Sequence, residues 1–327
     1  MRVLVTGGAG YIGSIVADQL LHNGHSVTVL DNLSKGHREA VPAGAEFVLG
    51  DTGDTAGLDP LFQAGRFDAV MHFAAFIEAG ESMEVPAKYF DNNTAHALTL
   101  LKAVLKHRVA RFVFSSTAAV YGEPQHIPIT EEDALKPTNP YGESKLMVER
   151  MLGWFHRIHG LRYSSLRYFN AAGATGGRGE AHNPETHLIP LVLQVALGQR
   201  EQISIYGTDY PTQDGTCIRD YIHVADLAAA HLLALDGLEQ HSQLIFNLGS
   251  GNGFSVREVI EVARQVTGHT IPAVEAPRRP GDAAVLVASS EKIRRVLGWQ
   301  PQHSSIEDIV RSAWEWHKAR AAAQTAS

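Results

Sequence analysis

The sequence of 327 residues has a single cysteine, Cys217. One thiol excludes an internal disulfide and a cysteine-rich zinc site, and this low use of cysteine is typical of a reducing compartment. No run approaches the roughly 20 apolar residues that a membrane-spanning helix needs. The glycines that begin at Gly7 come too early for the apolar core of a signal peptide. We therefore expect a cytoplasmic protein.

Positive charge is also scarce. The 28 Lys and Arg residues are outnumbered by 35 Asp and Glu residues, which gives a net charge of −7 and argues against a nucleic-acid partner. The 17 histidines form no His-Glu-x-x-His motif, and His182, Glu185 and His187 lie in a loop with poor ligand spacing, so no metal site is expected. The glycine-rich segment 173–179 lacks the Gly-Lys-Ser/Thr ending of a P-loop.

Apolar strands alternate with helices along the first half of the chain. Predicted strands lie at 3–5, 26–30, 46–51, 68–75 and 111–117, and predicted helices at 12–21, 93–107 and 140–158. This alternation predicts an α/β fold with a Rossmann-type doubly wound parallel sheet. We assign 1–170 to the nucleotide-binding domain and 171–327 to a smaller α/β substrate-binding domain. Segments near 218–248, which include a helical pattern at 222–235, are expected to return to the first domain.

Three glycines follow the first strand, at Gly7, Gly10 and Gly13. They permit a tight turn and a close approach of backbone to a pyrophosphate, which the next helix attracts through its N-terminus. Asp31 ends the second strand, 18 residues past Gly13, close to the expected position of an acid that binds ribose hydroxyls. It would repel a 2′-phosphate, which favours NAD over NADP. An ordinary strand–turn–helix is the alternative.

Tyr141 and Lys145 are four residues apart in the helix that Asn139 and Pro140 open, so they share one face. A tyrosine with an ordinary pKa near 10 is a poor base, but a neighbouring ammonium and a positive nicotinamide ring both favour the phenolate. Thr117, at the end of the fifth strand, is placed to hydrogen-bond the same substrate hydroxyl. The alternative for the pair alone is a solvated helix face.

Together these segments resemble the extended short-chain dehydrogenase/reductase family, and within it the UDP-hexose 4-epimerases. The resemblance covers nearly the whole chain and is carried by the segments VTGGAGYIG at 5–13, LDNL at 30–33, HFAA at 72–75, FSST at 114–117, PYGESK at 140–145, LRYFN at 166–170, GTDYPTQDGT at 207–216, RDYIHV at 219–224 and RRPGD at 278–282. The last four are more specific than the first.

The resemblance implies a reaction in which Tyr141 takes the proton of the sugar 4-hydroxyl while C4 gives its hydride to tightly held NAD. The keto sugar then turns, and hydride returns to its other face, which interconverts UDP-galactose and UDP-glucose. The implied catalytic residues are Tyr141, Lys145 and Thr117.

The resemblance also implies two sets of binding residues. Those for the cofactor are Gly7, Gly10, Tyr11, Ile12, Gly13, Asp31, Asn32, Asp51, Thr52, Phe73, Ala74, Ala75, Asn92, Ser115, Tyr141, Lys145 and Tyr168. Those for the UDP-sugar are Thr117, Tyr141, Asn170, His187, Leu188, Tyr206, Arg219, Arg279, Asp282 and Leu286. Arginines suit a diphosphate, although surface ion pairs with Asp220 and Asp282 are the alternative for Arg219 and Arg279.

Two positions depart from the family pattern. Ile77 stands where some members have a lysine near the nicotinamide, and Leu286 where some have a tyrosine that narrows the sugar pocket. The smaller Leu286 suggests that N-acetylated sugars are also accepted.

The helix at 140–158 carries two apolar stripes, and 97–105 is similarly rich. A helix that is apolar on two sides is buried on two sides. We therefore expect a homodimer through the helices near 93–107 and 140–158, as in the family.

Other functions remain open at this stage. They are a 4-epimerase of UDP-N-acetylhexosamine, UDP-pentose or UDP-uronate, and a non-catalytic NAD-sensing protein, although the latter tends to lose the Tyr or the Lys. A dTDP-glucose 4,6-dehydratase needs an acidic pair after Thr117, where Ala118 and Ala119 stand.

Overall fold

The computed structural model describes residues 1–279 and 282–325. Pro280 and Gly281, within the RRPGD segment, lie outside the described residues. The strands are β1 (Arg2–Thr6), β2 (Ser26–Asp31), β3 (Glu46–Leu49), β4 (Ala69–His72), β5 (Arg111–Thr117), β6 (Arg162–Tyr168), β7 (Asn170–Ala172), β8 (Ile203–Tyr206), β9 (Ile218–His223), β10 (Gln243–Leu248), β11 (Gly253–Ser255), β12 (Ala273–Ala276) and β13 (Val285–Leu286).

The helices surround and connect these strands. They are α1 (Tyr11–His22), α2 (Thr55–Gly65), α3 (Ala79–Glu84), α4 (Pro86–Tyr89), α5 (His96–Lys106), α6 (Pro140–His159), α7 (Leu188–Ala196), α8 (Val224–Gly237), α9 (Val256–Thr267), α10 (Glu291–Leu297) and α11 (Ile306–Thr325). None of those within the described residues is long and apolar enough to cross a bilayer.

Seven strands form one parallel sheet in the order β10-β6-β5-β4-β1-β2-β3. Its central strand β1 is buried on both faces, because Val3, Leu4 and Val5 are fully covered. Continuous β-branched and aliphatic runs of this kind are typical of parallel sheets with helices on both sides. The predicted α/β class with a doubly wound parallel sheet is confirmed.

Two apolar layers cover the sheet. On one face, α1 and α8 pack with residues such as Ile15, Leu20 and Leu227. On the other, α2, α5 and α6 contribute Phe62, Leu101 and other aliphatic side chains. The loops at the carboxyl ends of the strands are left open between the layers, and that edge is where ligands bind in such sheets.

The second half of the chain forms a smaller body. β9 lies between β11 and β13 and also pairs with β7, while β8 pairs with β12. Helices α7, α9 and α11 share an apolar core there. In the segment 218–248, β10 adds to the edge of the large sheet, whereas β9 belongs to the small one.

Several predicted boundaries differ from the structure; the strand predicted at 68–75, for example, is shorter and ends at His72. The helical pattern at 222–235 begins too early, because Ile222 and His223 complete β9 and the helix starts at Val224. A β-strand and a buried helix are both apolar, so periodicity alone places their junction poorly. The helix predicted at 93–107 is α5, preceded by a π-helical turn over Phe90–Ala95.

Candidate active site and cofactor cavity

The glycine loop after β1 forms one wall of the site. Gly7 has a positive φ of 72°, and a Cβ at Gly13 would lie 2.3 Å from the carbonyl oxygen of Gly7. The first bond of α1 joins the Ser14 amide to the Gly10 carbonyl at 3.0 Å. The amides of the preceding helical residues therefore point out of the helix N-terminus, where they can receive an anion.

Asp31 is fixed beside this loop. Its Oδ2 accepts a hydrogen bond from the amide of Ala9 at 3.0 Å and its Oδ1 one from the amide of Leu33 at 2.8 Å. Burial raises the pKa of Asp31, and these two backbone bonds oppose that shift. The carboxylate is thus held at the end of β2 with its lone pairs partly free for a ribose.

Asp51 lies at the outer rim. Its Oδ2 accepts a bond from the side-chain amide of Asn32 at 2.7 Å, and its Oδ1 one from the amide of Gly53 at 2.7 Å. The same Oδ1 is 2.9 Å from Nδ1 of His96. Asn32 and Asp51 were both predicted from sequence, but their contact was not.

α6 begins where the sequence indicates. Asn139 accepts a bond from the amide of Gly142 at 2.8 Å through its side chain, and Pro140 occupies the first helical position. This cap sets the orientation of the first turn. It places Tyr141 and Lys145 against the carboxyl end of β5.

Tyr141, Thr117 and Lys145 converge at that point. Burial raises the pKa of the Tyr141 phenol to about 12, the Thr117 side chain opposes this shift, and the Glu78 carboxylate adds to it. Lys145 donates from Nζ to the Ser115 carbonyl oxygen at 2.8 Å. Burial lowers the pKa of Lys145 to about 7. Burial therefore favours the neutral form of both groups more than water does.

One cavity joins the glycine loop to this triad. Its wall includes every residue predicted to bind the cofactor: Gly7, Gly10, Tyr11, Ile12, Gly13, Asp31, Asn32, Asp51, Thr52, Phe73, Ala74, Ala75, Asn92, Ser115, Tyr141, Lys145 and Tyr168. Of the predicted substrate residues, Thr117, Tyr141, Asn170 and His187 also line it.

The other predicted substrate residues lie in the second half of the chain. Arg219 on β9 donates to Asp282 at 2.8 Å and to the Ala283 carbonyl oxygen at 2.8 Å. The guanidinium of Arg279 stacks 4.5 Å above the ring of Tyr206. Leu286 on β13 is paired in register with Arg219, and Leu188 is the first residue of α7. The structure thus gathers the two arginines around Asp282.

Sequence reasoning missed an ion pair in the cavity wall. Lys35 and Glu78 are 2.6 Å apart and both line the cavity. The Lys35 side chain lowers the pKa of Glu78 against the opposing effect of burial. Residues 43 positions apart carry no local signal of contact. Glu78 follows Ile77, the position where some family members have a lysine.

A buried network behind Thr117 was also missed. Glu149 on α6 accepts bonds from Ser116 at 2.5 Å and from Arg167 at 2.6 Å. Arg167 also donates to the hydroxyl of Tyr121 at 2.9 Å, which donates to Asn247 at 2.7 Å. Because each member has its partners, the charges are tolerated in the interior. The network ties α6 to β5, β6 and β10.

The loop before α7 brings together Glu180, His182, Glu185 and His187, which we term the Glu/His cluster. Sequence spacing suggested that these side chains were poorly placed to share a ligand, but one ligand atom from each lies within 4.8 Å of the others. Burial would raise the pKa of Glu180, yet His187 and His182 hold it below its ordinary value. The two carboxylates raise the pKa of His187 against the effect of burial.

The fold and the cavity define a dinucleotide-binding α/β protein with a threonine, a tyrosine and a lysine at the end of β5. The chain belongs to the NAD dependent epimerase/dehydratase family, whose sequence profile matches residues 3–249. The predicted family resemblance is thereby confirmed, as are NAD as the cofactor and the assignment as an enzyme.

Similar proteins extend this likeness to the whole chain. A UDP-glucose 4-epimerase from Halalkalibacterium halodurans is 57% identical over 97% of this chain and 96% of its own. The crystal structure of a UDP-glucose 4-epimerase is 53% identical, with a TM-score of 0.95 and coverage of 98% of both chains. The crystal structure of a UDP-glucose 4-epimerase from Brucella ovis, a complex with NAD, is 46% identical, with a TM-score of 0.93 and coverage of 96% and 97%.

Proposed function

We propose that this chain interconverts UDP-galactose and UDP-glucose by inverting C4 of the sugar through transient oxidation. One observation carries the proposal: Tyr141, Thr117 and Lys145 share a cavity with the glycine loop. The similarity of the whole chain to UDP-glucose 4-epimerases supports it. An idle NAD-sensing protein has no need of this triad.

The cavity fits NAD. The exposed amides at the start of α1 and the glycines that leave room for a diphosphate suit its pyrophosphate. The carboxylate of Asp31 suits its adenosine ribose, and Asn32, Asp51 and Thr52 line the adenine end. Bound NAD supplies a hydride acceptor and a positive ring beside the sugar.

Tyr141 serves as the base that accepts the proton of the 4-hydroxyl. In the buried site its phenol holds its proton too firmly, with a pKa of about 12, so positive charge must stabilise the phenolate. The Lys145 ammonium one helical turn away provides such charge. Thr117, which lines the same cavity, orients the same sugar hydroxyl.

The UDP part is held by the second half of the chain. Arg219 and Arg279 bind the diphosphate, because guanidinium groups match phosphate oxygens well, and Asp282 fixes both arginines. Asn170, Tyr206 and the backbone groups of His187 and Leu188 complete this part of the site. A firm anchor on UDP leaves the sugar free to turn and present either face of C4.

Conversion of UDP-galactose to UDP-glucose by the purified enzyme tests the proposal. We expect turnover, and we expect Tyr141→Phe to lower kcat by about 10²- to 10⁴-fold while its NAD content is unchanged. Phe169→Tyr, on the same wall, is a control for changed packing. Failure of the wild type to convert any UDP-sugar would refute the function, and an active Tyr141→Phe would refute the base.

Leu286 favours a second substrate class, the N-acetylated UDP-hexosamines. It is half-buried beside Arg219 and, like Phe169, packs against the apolar cluster that contains Ile129 and Leu146. A tyrosine there would fill more of the sugar pocket. We expect Leu286→Tyr to lose turnover of UDP-N-acetylglucosamine and to keep that of UDP-glucose. Absence of wild-type turnover with the acetylated sugar would reject this extension.

We also propose that the chain forms a homodimer through α5 and α6. On α6, Trp154 is 56% exposed and Ile158 is 66% exposed. Large apolar side chains exposed together in this way mark a contact surface. Packing against a second copy of the chain would remove them from water. Light scattering at micromolar concentration tests the mass, and a wild-type monomer would refute the dimer. The cytoplasmic location stays a prediction.

A further inference from the structure

The Glu/His cluster has the composition and the spacing of a metal site. His187 Nδ1 is 2.8 Å from Oε1 of Glu180 and 2.8 Å from Oε1 of Glu185. His182 Nδ1 is 3.1 Å from the same Glu180 oxygen. Ligands of a tetrahedral zinc ion lie about 3.3 Å apart. The ligand atoms of the cluster are 2.8 Å apart at His187 and Glu180 and at most 4.8 Å apart elsewhere, so the zinc value lies within this range.

Three of the four side chains are largely withdrawn from water, whereas His187 is 38% exposed. Glu180 and Glu185 are 6% and 5% exposed, and His182 is 18% exposed. Two carboxylates this close repel each other at low dielectric unless a positive charge joins them, as His187 does when it is protonated. A divalent cation would balance both charges, while the two imidazoles would coordinate it without adding charge.

We infer that the Glu/His cluster binds one zinc ion. Two imidazoles and two carboxylates are ligands that suit zinc, whereas magnesium and calcium prefer sites made of oxygen alone. Glu185 is fixed, because its Oε1 already accepts bonds from the amides of Thr186 and His187 at 2.7 and 2.8 Å, and an ion would take the carboxylate lone pairs that these amides leave free. A ligand held in this way loses little freedom when the ion binds.

The ion would act as a clamp on the wall of the cofactor cavity. The loop that carries the cluster is tied to the first half of the chain, since Tyr11 donates to the Gly173 carbonyl oxygen at 2.6 Å and His37 contacts the Ala181 carbonyl oxygen at 3.0 Å. At its other end the loop runs directly into α7 of the second half. Zinc would therefore fasten the segment that joins the two halves beside the cavity.

This inference does not depend on the proposed epimerase activity.

Calorimetric titration tests the site. The tag-free holoenzyme, stripped with a chelator, is titrated with Zn²⁺ near pH 8, where histidine ligands are deprotonated more readily. We expect one zinc per chain and no comparable binding of Mg²⁺. His182→Asn and Glu185→Gln should each weaken zinc binding by about fivefold or more. His126→Asn alters an exposed histidine that also faces a carboxylate, and it should change nothing.

The outcomes separate the zinc site from a hydrogen-bonded cluster. Absence of stoichiometric binding, or a loss smaller than about fivefold in either cluster variant, would overturn the inference. If a variant melts below the wild type without metal, X-ray absorption of the wild-type zinc complex decides instead. A spectrum with two imidazoles among nitrogen and oxygen ligands at about 2.0 Å supports the site, and any other set of ligands overturns it. Neither the titration nor the spectrum depends on enzyme activity.

Discussion

Lys145 is joined to Ser115 by a hydrogen bond of 2.8 Å from Nζ to the carbonyl oxygen. This bond crosses from α6 to β5 and holds the lysine 3% exposed beneath the site. Because the acceptor is a neutral carbonyl, the bond leaves the lysine free to titrate. The charge of Lys145 therefore depends on what occupies the cavity and on the state of Tyr141.

Removal of that amine should shift the pH dependence of catalysis. In Lys145→Met, the phenol loses the charge that favours its ionised form, so its pKa rises. We expect a lower kcat and an acid limb of the rate profile that moves to higher pH. Lys102→Met, on the exposed side of α5, is the matched control. A profile that keeps its position would show that Lys145 does not tune Tyr141.

Asp31 should set the choice of cofactor. Asp31→Asn keeps one oxygen for the backbone amides that the carboxylate now binds, but it removes the charge. We expect NAD to bind about 10- to 100-fold more weakly, since a hydrogen bond to a charged group is worth about 1.5–3 kcal/mol. The affinity for NADP relative to that for NAD should rise, because the carboxylate that repels the 2′-phosphate is gone. Fluorescence titration with both cofactors measures the ratio, and Asp68→Asn on the surface serves as reference.

A methyl group at Gly13 should disrupt the cofactor loop. Its Cβ would lie 2.3 Å from the Gly7 carbonyl oxygen, and backbone there cannot move aside cheaply. Gly13→Ala should lower the unfolding free energy by about 1–3 kcal/mol and weaken NAD binding. Gly80→Ala meets nothing within 4 Å and should be close to neutral. Equal melting temperatures for the two variants would contradict the close approach.

Buried histidines should make the fold sensitive to mild acid. Burial lowers the pKa of His231 to about 4 and that of His72 to about 3. Their stabilising effect is therefore complete above the unfolded value of about 6.5 and is lost as the pH falls towards the folded values. When the pH falls from about 7.5 to 5.5, each of these two histidines should lower the unfolding free energy by about 1.4 kcal/mol.

His231→Leu isolates one of these contributions. The Nε2 of His231 has no hydrogen-bond partner among the described residues, and its Nδ1 bonds the Leu227 carbonyl oxygen at 2.8 Å, so an apolar side chain loses one hydrogen bond there. Urea unfolding at both pH values should show a smaller acid loss for the variant, by about 1.4 kcal/mol. An unchanged acid loss would mean that His231 is not held neutral.

The features predicted from sequence are those with local causes. The glycine loop, the cap at Asn139 and the shared face of Tyr141 and Lys145 follow from spacing within one or two turns. The cofactor residues could be gathered in advance because parallel strands present their carboxyl ends at one edge. The roles of these residues remain part of the proposal.

The sequence by itself determined the doubly wound sheet and the position of the dinucleotide loop, because apolar runs and glycines act on their immediate neighbours. Only the tertiary structure decided that Lys35 meets Glu78, that Glu149 meets Arg167, and that the Glu/His cluster closes on one point. Such contacts depend on how crossovers and loops pack over long separations or fold back on themselves. No local periodicity encodes that packing.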